Sequence, residues 1–132
     1  MSELRVGIKG EQKGVVAADK TAKAMGSGAL NVFATPAMIA LMEKAAYLSV
    51  ADCLEEGQGT VGTMMNIKHT AATPVGLRVR CTSELAAVDG RKLTFHVAAY
   101  DEAGLIGEGE HERFIIDDAR FQAKADAKLL TR

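Results

Sequence analysis

Apolar residues recur at two different periods along this chain, and the change of period separates one long helix from a set of strands. After Thr35-Pro36, the residues Met38, Leu41, Met42, Ala45, Ala46 and Leu48 return at helical spacing through to about Leu54, which marks the buried face of an α-helix. Thr35 reads as its N-cap and Pro36 as its first helical residue, where the ring's missing N–H costs nothing. Gly57 stops it. Ala and Met dominate the segment and charges are few, so most of its circumference is expected to be buried, as in a helix wrapped by a sheet.

Beyond Gly59 the period falls to two. Val61 to Thr70 reads as one strand. Leu77, Val79, Cys81, Ser83 and Leu85 alternate with Arg78, Arg80, Thr82 and Glu84, the pattern of a half-buried strand with a solvated face. Val88-Asp89-Gly90-Arg91 supplies a tight turn, after which Leu93, Phe95, Val97 and Ala99 repeat the alternation up to Asp101. Glu102-Ala103-Gly104 turns again, and Leu105 to Asp117 forms a fourth long strand in which Gly107 and Gly109 predict a bulge or a close backbone approach. Asp117-Asp118 opens a short C-terminal helix with acidic residues at its positive end. Ahead of the long helix, Glu11 to Ala17 reads as a strand, and Met25-Gly26-Ser27-Gly28-Ala29-Leu30 as a flexible loop or lid. One strand, one long helix and a meander of antiparallel strands make an α+β domain whose sheet covers the helix.

Length and composition narrow the function classes. At 132 residues there is room for one domain, 1–132, with a core that needs no metal or disulfide staple. Net charge is -1 and aromatic residues are 5% with no Trp, which argues against phosphate neutralisation by a basic face and against base stacking, and so against nucleic acid as a partner. Cys53 and Cys81 lie far apart, and there is no C-x-x-C, Cys/His cluster or H-E-x-x-H, so no metal or other cofactor is expected. No signal-peptide run or stretch of about 20 apolar residues occurs, so no membrane association is expected and the predicted setting is a reducing cytoplasm.

Four positions carry candidate chemistry, each with a plainer reading beside it. Gly57-Gln58-Gly59-Thr60-Val61-Gly62 matches G-x-G-x-x-G but follows a helix and opens a strand, the reverse of the dinucleotide context. Gly62 alone retains interest, because a residue without a side chain lets a substrate carbonyl approach its N–H. Glu43 is either an exposed helix carboxylate or a pocket base or nucleophile. His69, at a strand end before Thr73-Pro74, is either a hydrogen-bonded structural residue or a proton carrier. His96 and His111 read as structural strand residues, and Arg113 as either a solvated cation or an anchor for carboxylate or phosphate. No G-x-S-x-G elbow is present.

Three blocks together resemble the hotdog-fold acyl-CoA thioesterases, specifically the fluoroacetyl-CoA thioesterase-like branch. They are Val32-Phe33-Ala34-Thr35-Pro36 with Leu41-Met42-Glu43, then Gly59-Thr60-Val61-Gly62-Thr63 running to His69-Thr70-Ala71-Ala72-Thr73-Pro74, and last Ile106-Gly107-Glu108-Gly109-Glu110-His111-Glu112-Arg113. The resemblance runs from about Arg5 to Lys124. It implies an antiparallel sheet around one long helix, a homodimer or a dimer of dimers, and an acyl-CoA substrate bound near the dimer interface. It places the catalytic Thr, Glu and His on Thr35, Glu43 and His69, and substrate contacts on Gly62, Arg113 and Phe33. The family's fluoroacetyl-selective enzyme closes its pocket with an aromatic lid just before the Val-Phe-Ala-Thr segment, whereas this chain has Met25 to Leu30 there with no ring. The expected reaction is therefore hydrolysis of another short or medium acyl-CoA to free acid and CoA, with no cofactor beyond the CoA of the substrate. In that reaction Thr35 and Glu43 supply the nucleophilic side and His69 manages the proton. The alternative is a non-catalytic hotdog protein that binds acyl-CoA or another apolar ligand, for which all three side chains would not be required.

Overall fold

A computed structural model describes residues 3–132. Five strands form one antiparallel sheet: β1 (Lys9–Val15), β2 (Gln58–His69), β3 (Arg78–Asp89), β4 (Lys92–Asp101) and β5 (Gly104–Asp117), in the order β1-β3-β4-β5-β2. Three helices accompany them: α1 (Ala22–Met25), α2 (Thr35–Val50) and α3 (Asp118–Asp126). The meander β3-β4-β5 follows directly from its turns. Asp89 pairs with Lys92 around Gly90, whose φ of 61° only glycine adopts freely, and the Asp101 carboxylate accepts from the Ala103 and Gly104 amides to close the next turn. β2, although it comes first of the four long strands in sequence, lies outside β5 and is an edge of the sheet.

The strand alternation places the core as expected. Val79, Cys81, Ser83 and Leu85 of β3 and Leu93, Phe95, Val97 and Ala99 of β4 are buried beneath α2, where they meet Met38, Met42, Ala46 and Val50. Burial pushes the Cys81 thiol up to about 12, and both cysteines are free. α2 buries one side rather than most of its circumference: Ala40, Lys44, Tyr47 and Leu48 remain exposed, because a single sheet reaches only one face of the helix.

The helix start also differs from the sequence expectation. Ala34, not Thr35, is the N-cap, with extended backbone and no side-chain cap. Thr35 lies within the first turn, so its hydroxyl is free for another partner. The helix ends at Val50, and a short 3-10 turn (Ala51–Cys53) continues the chain toward Gly57, whose φ is 84°. The first strand begins earlier than expected, at Lys9. In β5, Gly107 and Gly109 mark close approach: a Cβ on Gly107 would meet Met38 Sδ at 2.9 Å, and one on Gly109 would strike the Asn66 carbonyl. Asp117 caps α3 by accepting from the Arg120 amide. No helix among the described residues is long and apolar enough to cross a membrane.

Candidate active site

Two clusters of polar side chains lie on β2 and the elements that flank it. At the first, Thr35 in the opening turn of α2 meets His69 at the end of β2. Thr35 Oγ1 lies 2.8 Å from His69 Nδ1. The hydroxyl that a capping threonine would turn onto its own helix is instead directed at the imidazole. His69 Nε2 is shielded from solvent and has no hydrogen-bonding partner among the described residues. Burial lowers the pKa of His69, with the Ala71 backbone pulling weakly the other way. The ring is therefore neutral near pH 7 and able to accept a proton. A cleft of about 250 Å³ opens at this pair, walled by Ala22, Ser27, Val32, Phe33, Ala71 and Ala72. Phe33 is 5% exposed and belongs mainly to the core. The positive end of the α2 dipole also lies here.

The loop that reads as a lid forms part of the cleft wall. Gly26, at φ 74°, caps α1, and the Ser27 amide donates to the Ala22 carbonyl, while Lys23 N donates to Leu30 O across the loop.

The second cluster surrounds Glu43. Eight residues separate it from Thr35 on α2, about 12 Å of helical rise, so within one chain the carboxylate faces other partners. Arg113 Nη1 donates to Glu43 Oε2 at 3.2 Å. The guanidinium is buried and held on all sides: Nε donates to Thr60 Oγ1 at 2.8 Å, Nη2 to the Thr60 carbonyl at 2.9 Å, and Nη1 also to His111 Nε2 at 3.1 Å. Its carbon lies 5.7 Å from the centre of the Tyr47 ring, within cation–π range. Four of the five guanidinium donors are thereby engaged within the chain.

Gly62 makes this packing possible. A Cβ there would lie 2.6 Å from Glu43 Oε2 and 3.1 Å from His111 Cε1, so any side chain would displace the carboxylate. Gly62 pairs with Arg113 across the sheet, and the register shifts between Gly62 and Met64, leaving Thr63 as the extra residue of a bulge. Bulges of this kind re-aim strands beside functional sites.

His111, a structural strand residue by its sequence pattern, also belongs to this cluster. It is fully buried, stacked near Phe95, with Nδ1 2.9 Å from the Met64 carbonyl and Nε2 facing Arg113. A carbonyl only accepts and a guanidinium only donates, so the ring must carry its proton on Nδ1 and be neutral. Burial lowers its pKa most, with the Arg113 charge acting in the same direction. The signal available in the sequence was its spacing: His111 and Arg113, two apart on a strand, share a face. Thr60 and Tyr47 carried no comparable sign. Among the described residues, no group of three or more His, Cys, Asp or Glu side chains is arranged to hold a metal ion.

Comparison with known proteins agrees with this architecture. A curated fluoroacetyl-CoA thioesterase of Streptantibioticus cattleyicolor is 47% identical over 97 residues, 74% of this chain and 70% of the relative. The solved structure of fluoroacetyl-CoA thioesterase FlK superposes with a TM-score of 0.90 at 40% identity, covering 96% of this chain and 98% of that one. A Thermus thermophilus hypothetical protein described as a thioesterase superfamily member matches with a TM-score of 0.89 at 28% identity over the full length of both. The sheet wrapped on α2 is thus the hotdog fold. With residues 16–119 also matching the family described as fluoroacetyl-CoA-specific thioesterase, the chain belongs to that family.

Proposed function

We propose that this protein hydrolyses a short or medium acyl-CoA thioester to the free acid and CoA, with Thr35, Glu43 and His69 as its catalytic groups. The observation that carries this reading is the 2.8 Å contact between Thr35 Oγ1 and a neutral His69 at the mouth of a cleft. With its proton on Nε2, His69 takes the Thr35 hydroxyl proton on Nδ1 as that oxygen bonds to the thioester carbonyl carbon, and returns it to the CoA sulfur as the C–S bond breaks. Water then hydrolyses the Thr35 ester, releasing the acid and restoring the hydroxyl. Glu43 completes the nucleophilic side, and Gly62 allows the substrate to approach the carboxylate. The cleft, at about 250 Å³, lies below the usual range for larger ligands, which favours a short acyl group. The absence of an aromatic ring from Met25 to Leu30 favours an acyl group other than fluoroacetyl. Two free cysteines suit a reducing, cytoplasmic setting.

The two clusters join if the protein is a homodimer. β2 is a sheet edge, and an unpaired edge is a template for a second strand. When two copies of one strand pair about a two-fold axis, opposite ends face each other. Pairing along β2 then brings the Gly62–Glu43 end of one protomer toward the Thr35–His69 end of its partner, across the 12 Å that separates them within a chain.

The test is a panel of acyl-CoAs of increasing chain length, with released CoA read by a thiol reagent. Cys81 is too buried and too weakly acidic to contribute, and Cys53 gives a background removed by a substrate-free control. Thiol release that is fastest for short chains and lost in Thr35→Ala and His69→Ala supports the reading. Binding without release across the panel would make the protein an acyl-CoA carrier instead.

A further inference from the structure

The cluster around Glu43 contains a fully buried imidazole that takes no direct part in the reaction. His111 is fully buried, and its two ring nitrogens bridge a backbone carbonyl on β2 and the guanidinium on β5. Arg113 Nη1 has two protons. One goes to His111 Nε2 and the other to Glu43 Oε2, and the two acceptors together fix the orientation of the planar guanidinium. Thr60 fixes the opposite edge of the guanidinium through Nε and Nη2. The carboxylate is half-exposed on α2 and is held in place by this arginine and by the bare Cα of Gly62.

We propose that His111 is a positioning residue for the thioesterase reaction, acting through Arg113 to hold the Glu43 carboxylate in its working orientation. The inference rests on the assignment of Glu43 to the catalytic site. Its chemistry is specific to the Nδ1–H form of the ring. Only that form donates to the Met64 carbonyl while offering Nε2 as an acceptor, and a proton on Nε2 would set two donors against each other and release Nη1. The charged groups that face the ring are Arg113 and Glu43; the Met64 carbonyl accepts from Nδ1 and Phe95 stacks nearby.

Two amide substitutions separate this role from a purely structural one. His111→Asn keeps a donor for the Met64 carbonyl but is too short to place an acceptor at the Nε2 position. His111→Gln reaches that position with its carbonyl oxygen. If His111 acts through Arg113, His111→Asn lowers kcat with little change in KM, up to about 100-fold as for other misplaced catalytic groups, while His111→Gln stays within a few-fold of the parent. If the ring serves only to satisfy Met64, the order reverses. A cycle with Glu43→Gln decides whether the effect runs through that carboxylate. The double variant Glu43→Gln/His111→Asn should be no slower than Glu43→Gln alone, whereas multiplied losses would overturn the proposal. Should Glu43→Gln itself be fully active, the assignment of Glu43 fails and the role of His111 with it. An impaired Glu43→Gln beside a fully active His111→Asn removes His111 alone. Thermal midpoints of all variants, measured in parallel, assign any loss to positioning rather than unfolding.

Discussion

The cap position of α2 is held by Ala34, which has no side-chain bond to give, and Thr35 follows it in the first turn with its hydroxyl turned to His69. If the pair works as a unit, Thr35→Ala and His69→Ala should each lower kcat by roughly 100- to 10,000-fold, the usual range for acid–base groups. The double variant should lose far less than the product of the two. Steady-state kinetics of the three proteins, with circular dichroism as a folding control, decides this. Gly62 offers an independent check at the same scale. Gly62→Ala puts a Cβ 2.6 Å from Glu43 Oε2, so the carboxylate must move. Turnover should fall while the fold is retained, and parent-like turnover would show that the position of the carboxylate is not critical.

At the scale of elements, α2 and β5 carry both the core and the site. Met42 is fully buried on α2 one residue before Glu43. Met42→Ala should cost about 2–5 kcal/mol of stability, as for other large-to-small core changes, and would be seen as a lower urea midpoint with an unchanged slope. β5 supplies His111, and β2 supplies His69, both with pKa values lowered chiefly by burial. The folded chain therefore binds fewer protons than the unfolded chain at mildly acidic pH. Stability from these groups is fully present above the ordinary histidine value of about 6.5 and declines as pH falls below it toward the folded values. Thermal melts between pH 7.5 and 5 should show the midpoint falling on the acid side, by less in His111→Gln. An equal fall in both proteins would assign the effect to other groups. The strand periods of β3, β4 and β5 were legible because each strand has one buried face. The end of α2 and the β2 bulge were not, since both are set by contacts with elements far away in the chain.

For the whole molecule, the proposed homodimer rests on an edge strand. β2 carries His69, Gly62 and Thr60, and no other strand among the described residues covers its outer side. A stable dimer would give a solution mass of twice 14.0 kDa, measurable by light scattering at micromolar concentration. A fully active monomer would instead require each chain to hold a complete site, against the helical spacing of Thr35 and Glu43.

The sequence alone determined the element types, the core faces and the pairing of hairpins, because those follow from side-chain period and turn chemistry within a few residues. It also marked Thr35, Glu43, His69, Gly62 and Arg113 as candidates, through segments that resemble one family. Only the tertiary structure decided that Thr35 faces His69 rather than its own helix. Only the tertiary structure showed Arg113 spending its donors on Glu43, Thr60 and His111. Such contacts span 34 residues between Thr35 and His69 and 70 between Glu43 and Arg113. They arise when β2, last in the sheet order though second in the chain, is laid against β5 and brings the two strands' inward residues under one helix.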